Sequence, residues 1–200
     1  MKTIIKSIVT ILIIIFFQQQ SFAGEVISWK FKTRGIVYSS PLIVGNTVYI
    51  GSGDSTLYAI DLENGLEKWQ FKAGNKILST AAFFNDIICF ESGNVLYGLN
   101  LDGTEKWKVT ISEGNITNQY DEWDCFHSSP NIIDGIAYVG GERGKVIGVN
   151  VETGEEIFRI DTGNKGVGVR VKPAVWENKL YFGECSGIFY CYDITTQEKI

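Results

Sequence analysis

The side chains best suited to chemistry gather between Ile111 and Lys172. His127 is the one histidine of the chain and follows Tyr120, Asp121, Glu122, Trp123, Asp124 and Cys125 at close range. Imidazole, thiolate and carboxylate are zinc-binding types, which makes Asp121, Asp124 and Cys125 the co-ligands a metal would need here. Their spacing is irregular, however, and a hydrogen-bonded structural role for His127 is the better reading. Three carboxylates beside Tyr120 and Trp123 also form a surface suited to a cation, a sugar or a peptide. Arg170 and Lys172 supply the cationic groups that hold an anionic ligand. Nucleophilic catalysis finds little support, because Ser39-Ser40 and Ser128-Ser129 recur in step with a repeat and stand in no Gly-x-Ser-x-Gly elbow. The run Gly163-Asn164-Lys165-Gly166-Val167-Gly168 lacks a following helix pattern, so it reads as a flexible loop and not as a dinucleotide cradle.

What positions these residues is an internal repeat. Tyr38-Ser39-Ser40-Pro41 aligns with Leu78-Ser79-Thr80-Ala81, His127-Ser128-Ser129-Pro130 and Arg170-Val171-Lys172-Pro173, at intervals of about 40, 49 and 43 residues. Each copy continues with a turn, a second strand such as Val48-Tyr49-Ile50-Gly51, a Gly-containing turn and a third strand such as Leu57-Tyr58-Ala59-Ile60-Asp61. It closes on Asn64-Gly65-Leu66-Glu67-Lys68-Trp69, repeated as Asp102-Gly103-Thr104-Glu105-Lys106-Trp107 and Thr153-Gly154-Glu155-Glu156-Ile157-Phe158. Four short strands per unit of about 40 residues predict the blade of a β-propeller. The fold class is therefore all-β, with four-stranded antiparallel blades and about four repeats present. The aromatic four residues after each closing Gly is expected to cover the edge of the next blade, since one blade cannot bury both of its faces alone.

The expected organisation is an outer strand in residues 24–36, blades over 37–76, 77–110, 126–163 and 169–200, and an insertion loop over 111–125 that accounts for the long interval. By this alignment Tyr38, His127, Arg170 and Lys172 ring one mouth of the propeller channel, beside the insertion. Binding surfaces tend to sit on loops carried by a rigid scaffold, so the candidate binding face comprises Tyr120, Asp121, Trp123, Asp124, His127, Arg170 and Lys172.

Composition narrows the class further. Twenty-two Gly, only 3 Pro and an aromatic set of 5 Trp, 9 Tyr and 12 Phe suit short strands joined by tight turns. The formal net charge of −5 and the absence of a basic block argue against a nucleic-acid partner. Residues 1–23 read as a secretory signal peptide: Lys2 and Lys6, an apolar run from Ile8 to Phe17, then Ser21-Phe22-Ala23 before the cut. That run is shorter than the ~20 residues of a spanning helix, and no Cys follows the cut to carry a lipid, so a periplasmic or secreted chain with no transmembrane segment after cleavage is expected. Cys89, Cys125, Cys185 and Cys191 all lie in the exported part, and their three possible pairings stay open.

The pattern Ala59-x-Asp61-x-x-x-Gly65-x-x-x-Trp69, with Ser-Ser-Pro opening the innermost strand, resembles the repeat of the pyrroloquinoline quinone (PQQ)-like propeller superfamily. That superfamily holds quinoprotein alcohol dehydrogenases and a non-enzymatic propeller lipoprotein of outer-membrane barrel assembly, and its usual ring has seven or eight blades. The resemblance implies that the four repeats belong to such a larger ring; a closed four-bladed ring is the other reading. The enzymes carry adjacent cysteines over the quinone and a calcium site, and neither maps onto this sequence, so no catalytic residue, cofactor or metal is expected. A binding or assembly scaffold for an envelope protein or peptide is the first reading, and a fragment of a quinoprotein oxidoreductase using PQQ with calcium is the alternative.

Overall fold

A computed structural model describes residues 28–113 and 127–200. The chain divides into Met1–Lys30 and a compact unit Phe31–Ile200, and the strands of the described residues lie in the second. They form four antiparallel sheets in series. The first is β1 (Leu42–Val44), β2 (Thr47–Ser52), β3 (Thr56–Asp61) and β4 (Glu67–Lys72). The second is β5 (Ala82–Phe84), β6 (Ile87–Ser92), β7 (Val95–Asn100) and β8 (Glu105–Thr110). The third is β9 (Asn131–Ile133), β10 (Ile136–Gly140), β11 (Lys145–Asn150) and β12 (Glu156–Asp161), and the fourth is β13 (Ala174–Trp176), β14 (Lys179–Gly183) and β15 (Phe189–Asp193). Each sheet runs in simple sequence order, as propeller blades do.

The local chemistry of each blade follows from its turns. The first hairpin of three blades closes on Asn85-Asp86, Asp134-Gly135 and Glu177-Asn178, and both residues of each pair have positive φ, the backbone a two-residue hairpin demands. Between the third and fourth strands the side chain of Asp61 accepts the Glu63 and Asn64 amides, and Asn150 and Asp193 do the same in their blades. The register slips by one residue after Ala59, Gly98 and Gly148, so the same bulge bends the outer strand of three blades.

Alternation along the central strands feeds three apolar layers, one between each pair of neighbouring blades. Ile88 and Phe90 of β6 enter the layer shared with the first blade, and Ile87 and Cys89 enter the layer shared with the third. Tyr138 of β10 faces the fourth blade while Ala137 and Val139 face the second. Burial pushes the Cys89 thiol up to about 12. Cys185 is exposed and Cys191 half-buried, and none of these three cysteines is in a disulfide.

The blades are also stitched by polar contacts that repeat. Trp69 Nε1 donates to the Leu101 carbonyl (2.8 Å) and Trp107 Nε1 to the Val151 carbonyl (2.7 Å), in each case across to the next blade. Trp107 packs against Gly154, whose φ is +75° and where a Cβ would sit 2.5 Å from the indole. The serines that open the inner strands are clamps. Ser39 Oγ bonds both the amide and the carbonyl of Gly51, Ser79 Oγ does so at Glu91, and the Gly140 amide donates to Ser128 Oγ. The neighbouring position links blade to blade, through Ser40 N to Thr80 Oγ1 and Thr80 N to Ser129 Oγ.

Two expectations change. Residues 31–36, expected within an outer strand, are assigned to no strand, although the Ile36 carbonyl accepts the Gly53 amide (2.8 Å). The Gly163–Gly168 loop is more than a flexible link, because Val167 O accepts from Gly144 N and Gly168 O from Cys185 N, tying it to both neighbouring blades. The fourth blade has three strands, with a bridge from Tyr192 to Lys199 where a fourth would start. No helix among the described residues is long and apolar enough to cross a membrane.

Candidate functional site

The residues just before the inner strands converge at one end of the blades, where a charged network joins three of them. Glu91, at the end of β6, is almost completely buried. One of its carboxylate oxygens accepts the Asn94 amide (2.6 Å) and the other meets His127 Nδ1 (2.9 Å). A carboxylate in this position only accepts, so Nδ1 is the protonated nitrogen that donates. Burial is the largest influence on His127 and opposes its positive charge. The hydrogen bond and charge of Glu91, with the charge of Glu142, outweigh it and hold the imidazole above its ordinary pKa, while Arg170 pulls the other way.

The network continues outward from that pair. Asn94 Oδ1 accepts the Glu142 amide (2.9 Å), and Arg170 Nε donates to Glu142 Oε1 (3.1 Å). Gly168 leaves the space that the Glu142 carboxylate fills, since a Cβ there would lie 2.7 Å from Oε1. Two ion pairs, Glu91 with His127 and Glu142 with Arg170, therefore sit side by side across the second, third and fourth blades. Their arrangement sets opposite charges against each other across the three blades.

The structure thus brings together two of the expected residues, His127 and Arg170. Lys172 is exposed. Tyr120, Asp121, Trp123 and Asp124 lie outside the described residues, as does Cys125. Among the described residues no three His, Cys, Asp or Glu side chains converge as metal ligands would. Sequence reasoning missed Glu91 and Glu142. The signal for Glu91 was its alignment with Gly51, Gly140 and Gly183 at the end of an otherwise apolar strand: a charge in a glycine position needs a partner. It also missed Glu184, a buried carboxylate that accepts from Thr162, Asn164 (3.3 Å), Ser186 (3.0 Å) and Tyr190 (3.3 Å).

Comparison with known proteins places these features in context. The family model described as outer membrane protein assembly factor BamB matches residues 22–200. The chain is 28% identical over 117 residues to outer membrane protein assembly factor BamB of Yersinia pestis, a match covering 58% of this chain and 28% of that protein. Among solved structures, BamB from Moraxella catarrhalis superposes with a TM-score of 0.70 at 19% identity, over 86% of this chain and 51% of that one. The quinohemoprotein alcohol dehydrogenase from Comamonas testosteroni shares the fold at a TM-score of 0.62 and 15% identity, over 83% and 34% of the two chains. The chain spans less than half the length of these curated relatives, from 28% to 48%. With the repeat, the blades and the match across nearly all of its length in agreement, the chain belongs to the outer membrane protein assembly factor BamB family of PQQ-like β-propellers.

Proposed function

We propose that this chain is a docking scaffold of the cell envelope, exported by its leader and holding another envelope protein or a peptide against the face that carries the 111–125 insertion and the His127–Arg170 network. Its relatives are named as assembly factors of the outer membrane, which supports an assembly role over an enzymatic one. The observation that carries the reading is the fate of the charges at this face. His127 and Arg170 pair with Glu91 and Glu142, which ties three blades into one platform and holds the Arg170 guanidinium at the docking face.

The test is co-purification from envelope extract, with the captured protein identified by mass spectrometry. Trp123→Ala and Arg170→Ala are each expected to weaken capture by about 2 kcal/mol or more while the thermal melt stays unchanged for Trp123→Ala. Equal recovery by wild type and both variants would move the site to another face. Stoichiometric uptake of quinone with calcium, followed by absorbance, would instead favour the oxidoreductase reading.

A further inference from the structure

Between the second and third blades, on the same face as the charged network, a cleft of about 450 Å³ is lined by Thr110, Glu113, Arg143, Lys145, Arg159 and Lys165. Four cations line one cleft in a chain whose net charge is −5. Two of them already have partners: Lys145 bonds Asp161, and Arg159 bonds Glu156 (2.8 Å) and reaches the Thr110 carbonyl (3.0 Å) across the blade boundary. Arg143 and Lys165 make no close ion pair among the described residues, although, with the Lys145 hydrogen bond, the Lys165 charge helps hold the Asp161 carboxyl down. The turn bearing Arg143 is tied to the loop bearing Lys165 by the bond from Gly144 N to Val167 O (2.8 Å), which brings the two cations to one rim.

The repeat shows that packing does not require these charges. The equivalent cleft of the first blade, about 380 Å³, is lined by Arg34, Asp54, Thr56, Gln70 and Lys72. Asp54 there occupies the place of Arg143, two residues before the third strand; Thr56 stands for Lys145 and Gln70 for Arg159. The two clefts take equivalent places in the repeat, one with a carboxylate at the rim and the other with a guanidinium, and the left-handed backbone of Arg143 has no counterpart at Asp54. Arg143 is moreover held at φ +60°, a conformation glycine adopts more easily.

We infer that this cleft binds an acidic peptide segment, seating a carboxylate of the partner between Arg143 and Lys165. Guanidinium and ammonium groups at one rim suit a carboxylate, and the volume lies within the range of small-ligand clefts, ~300–1,000 Å³. The positive excess is small once Glu113, Glu156 and Asp161 are counted, which matches one or two carboxylates and not a polyanion. The inference rests on the docking-scaffold reading and deepens it.

The test is fluorescence anisotropy of the purified chain with a labelled serine-rich peptide carrying two glutamates, and with its glutamine counterpart. The glutamate peptide is expected to bind and the glutamine peptide not, with affinity falling several-fold as salt rises from about 50 to about 300 mM. Arg143→Gly should weaken binding about tenfold while the thermal melt stays level or rises, because glycine relieves the backbone. R143E/K165E should abolish binding, and Lys106→Glu, an exposed change elsewhere on the second blade, should leave it intact. Equal binding of the two peptides, or wild-type affinity in R143E/K165E, would overturn the inference. Displacement of the peptide by inorganic phosphate at equal or lower concentration would overturn it in favour of a phosphate site. Envelope-protein capture by wild type, and its loss in Arg170→Ala, is read separately; peptide binding failing while that capture persists would remove the cleft and leave the scaffold standing.

Discussion

His127 shows how a single side chain can carry the pH dependence of this fold. Its folded pKa is raised, so its contribution to stability is fully present below the unfolded value of about 6.5 and is lost as pH climbs through the folded value. His127→Gln is therefore expected to be destabilised relative to wild type at about pH 6, by an amount that shrinks as pH rises, as measured by urea melts. A gap of constant size would mean that Glu91 does not hold a charged imidazole. The tryptophans differ in the same residue-level way. Trp107 is buried and Trp69 only half-buried. Trp107→Ala should cost about 3–5 kcal/mol, and Trp69→Ala about 1–3, in denaturant melts. Sequence pattern ranks the two alike, because the repeat fixes the position of the ring and not how much of the next blade lies over it.

The turn before the outer strand is the element on which blade stacking depends. Gly154 combines positive φ with an indole where a Cβ would stand, whereas Gly45 has positive φ (+54°) and nothing within 4 Å. Gly154→Ala is expected to cost about 3 kcal/mol or more and Gly45→Ala about 1, a contrast that thermal melts can read directly and that separates steric overlap from backbone strain. Much of this element was legible in the chain: the Gly at a fixed offset, the aromatic four residues on, the two-residue hairpin turns and the paired serines all announce the blade. Glu91, Glu142 and Glu184 were harder to foresee, since a buried carboxylate is defined by partners far away in sequence, as Glu91 is by His127 36 residues on. The 111–125 insertion was legible only as a break in spacing, because a loop without a repeat to copy has no pattern from which its contacts follow.

As a whole, the described molecule is a row of sheets in which each apolar layer belongs to two neighbours. Such a row behaves as a sum of blade stabilities and interface terms. Weakening one interface should uncouple the two sides. Trp107→Ala is expected to turn a single denaturation step into two, with Trp69 fluorescence and far-ultraviolet dichroism no longer coincident. Coincident transitions would show that the serine and threonine links between inner strands suffice to keep the blades cooperative. The indole clamps also order events in time. Trp69 finds its acceptor 32 residues later, and Trp107 44 residues later. A chain emerging from its N-terminus during synthesis thus always carries one unfinished blade edge at its newest end. Each blade is sealed by the arrival of its successor, and the interval during which an aromatic edge is open to a chaperone, or to a wrong neighbour, is set by the transit of about one repeat.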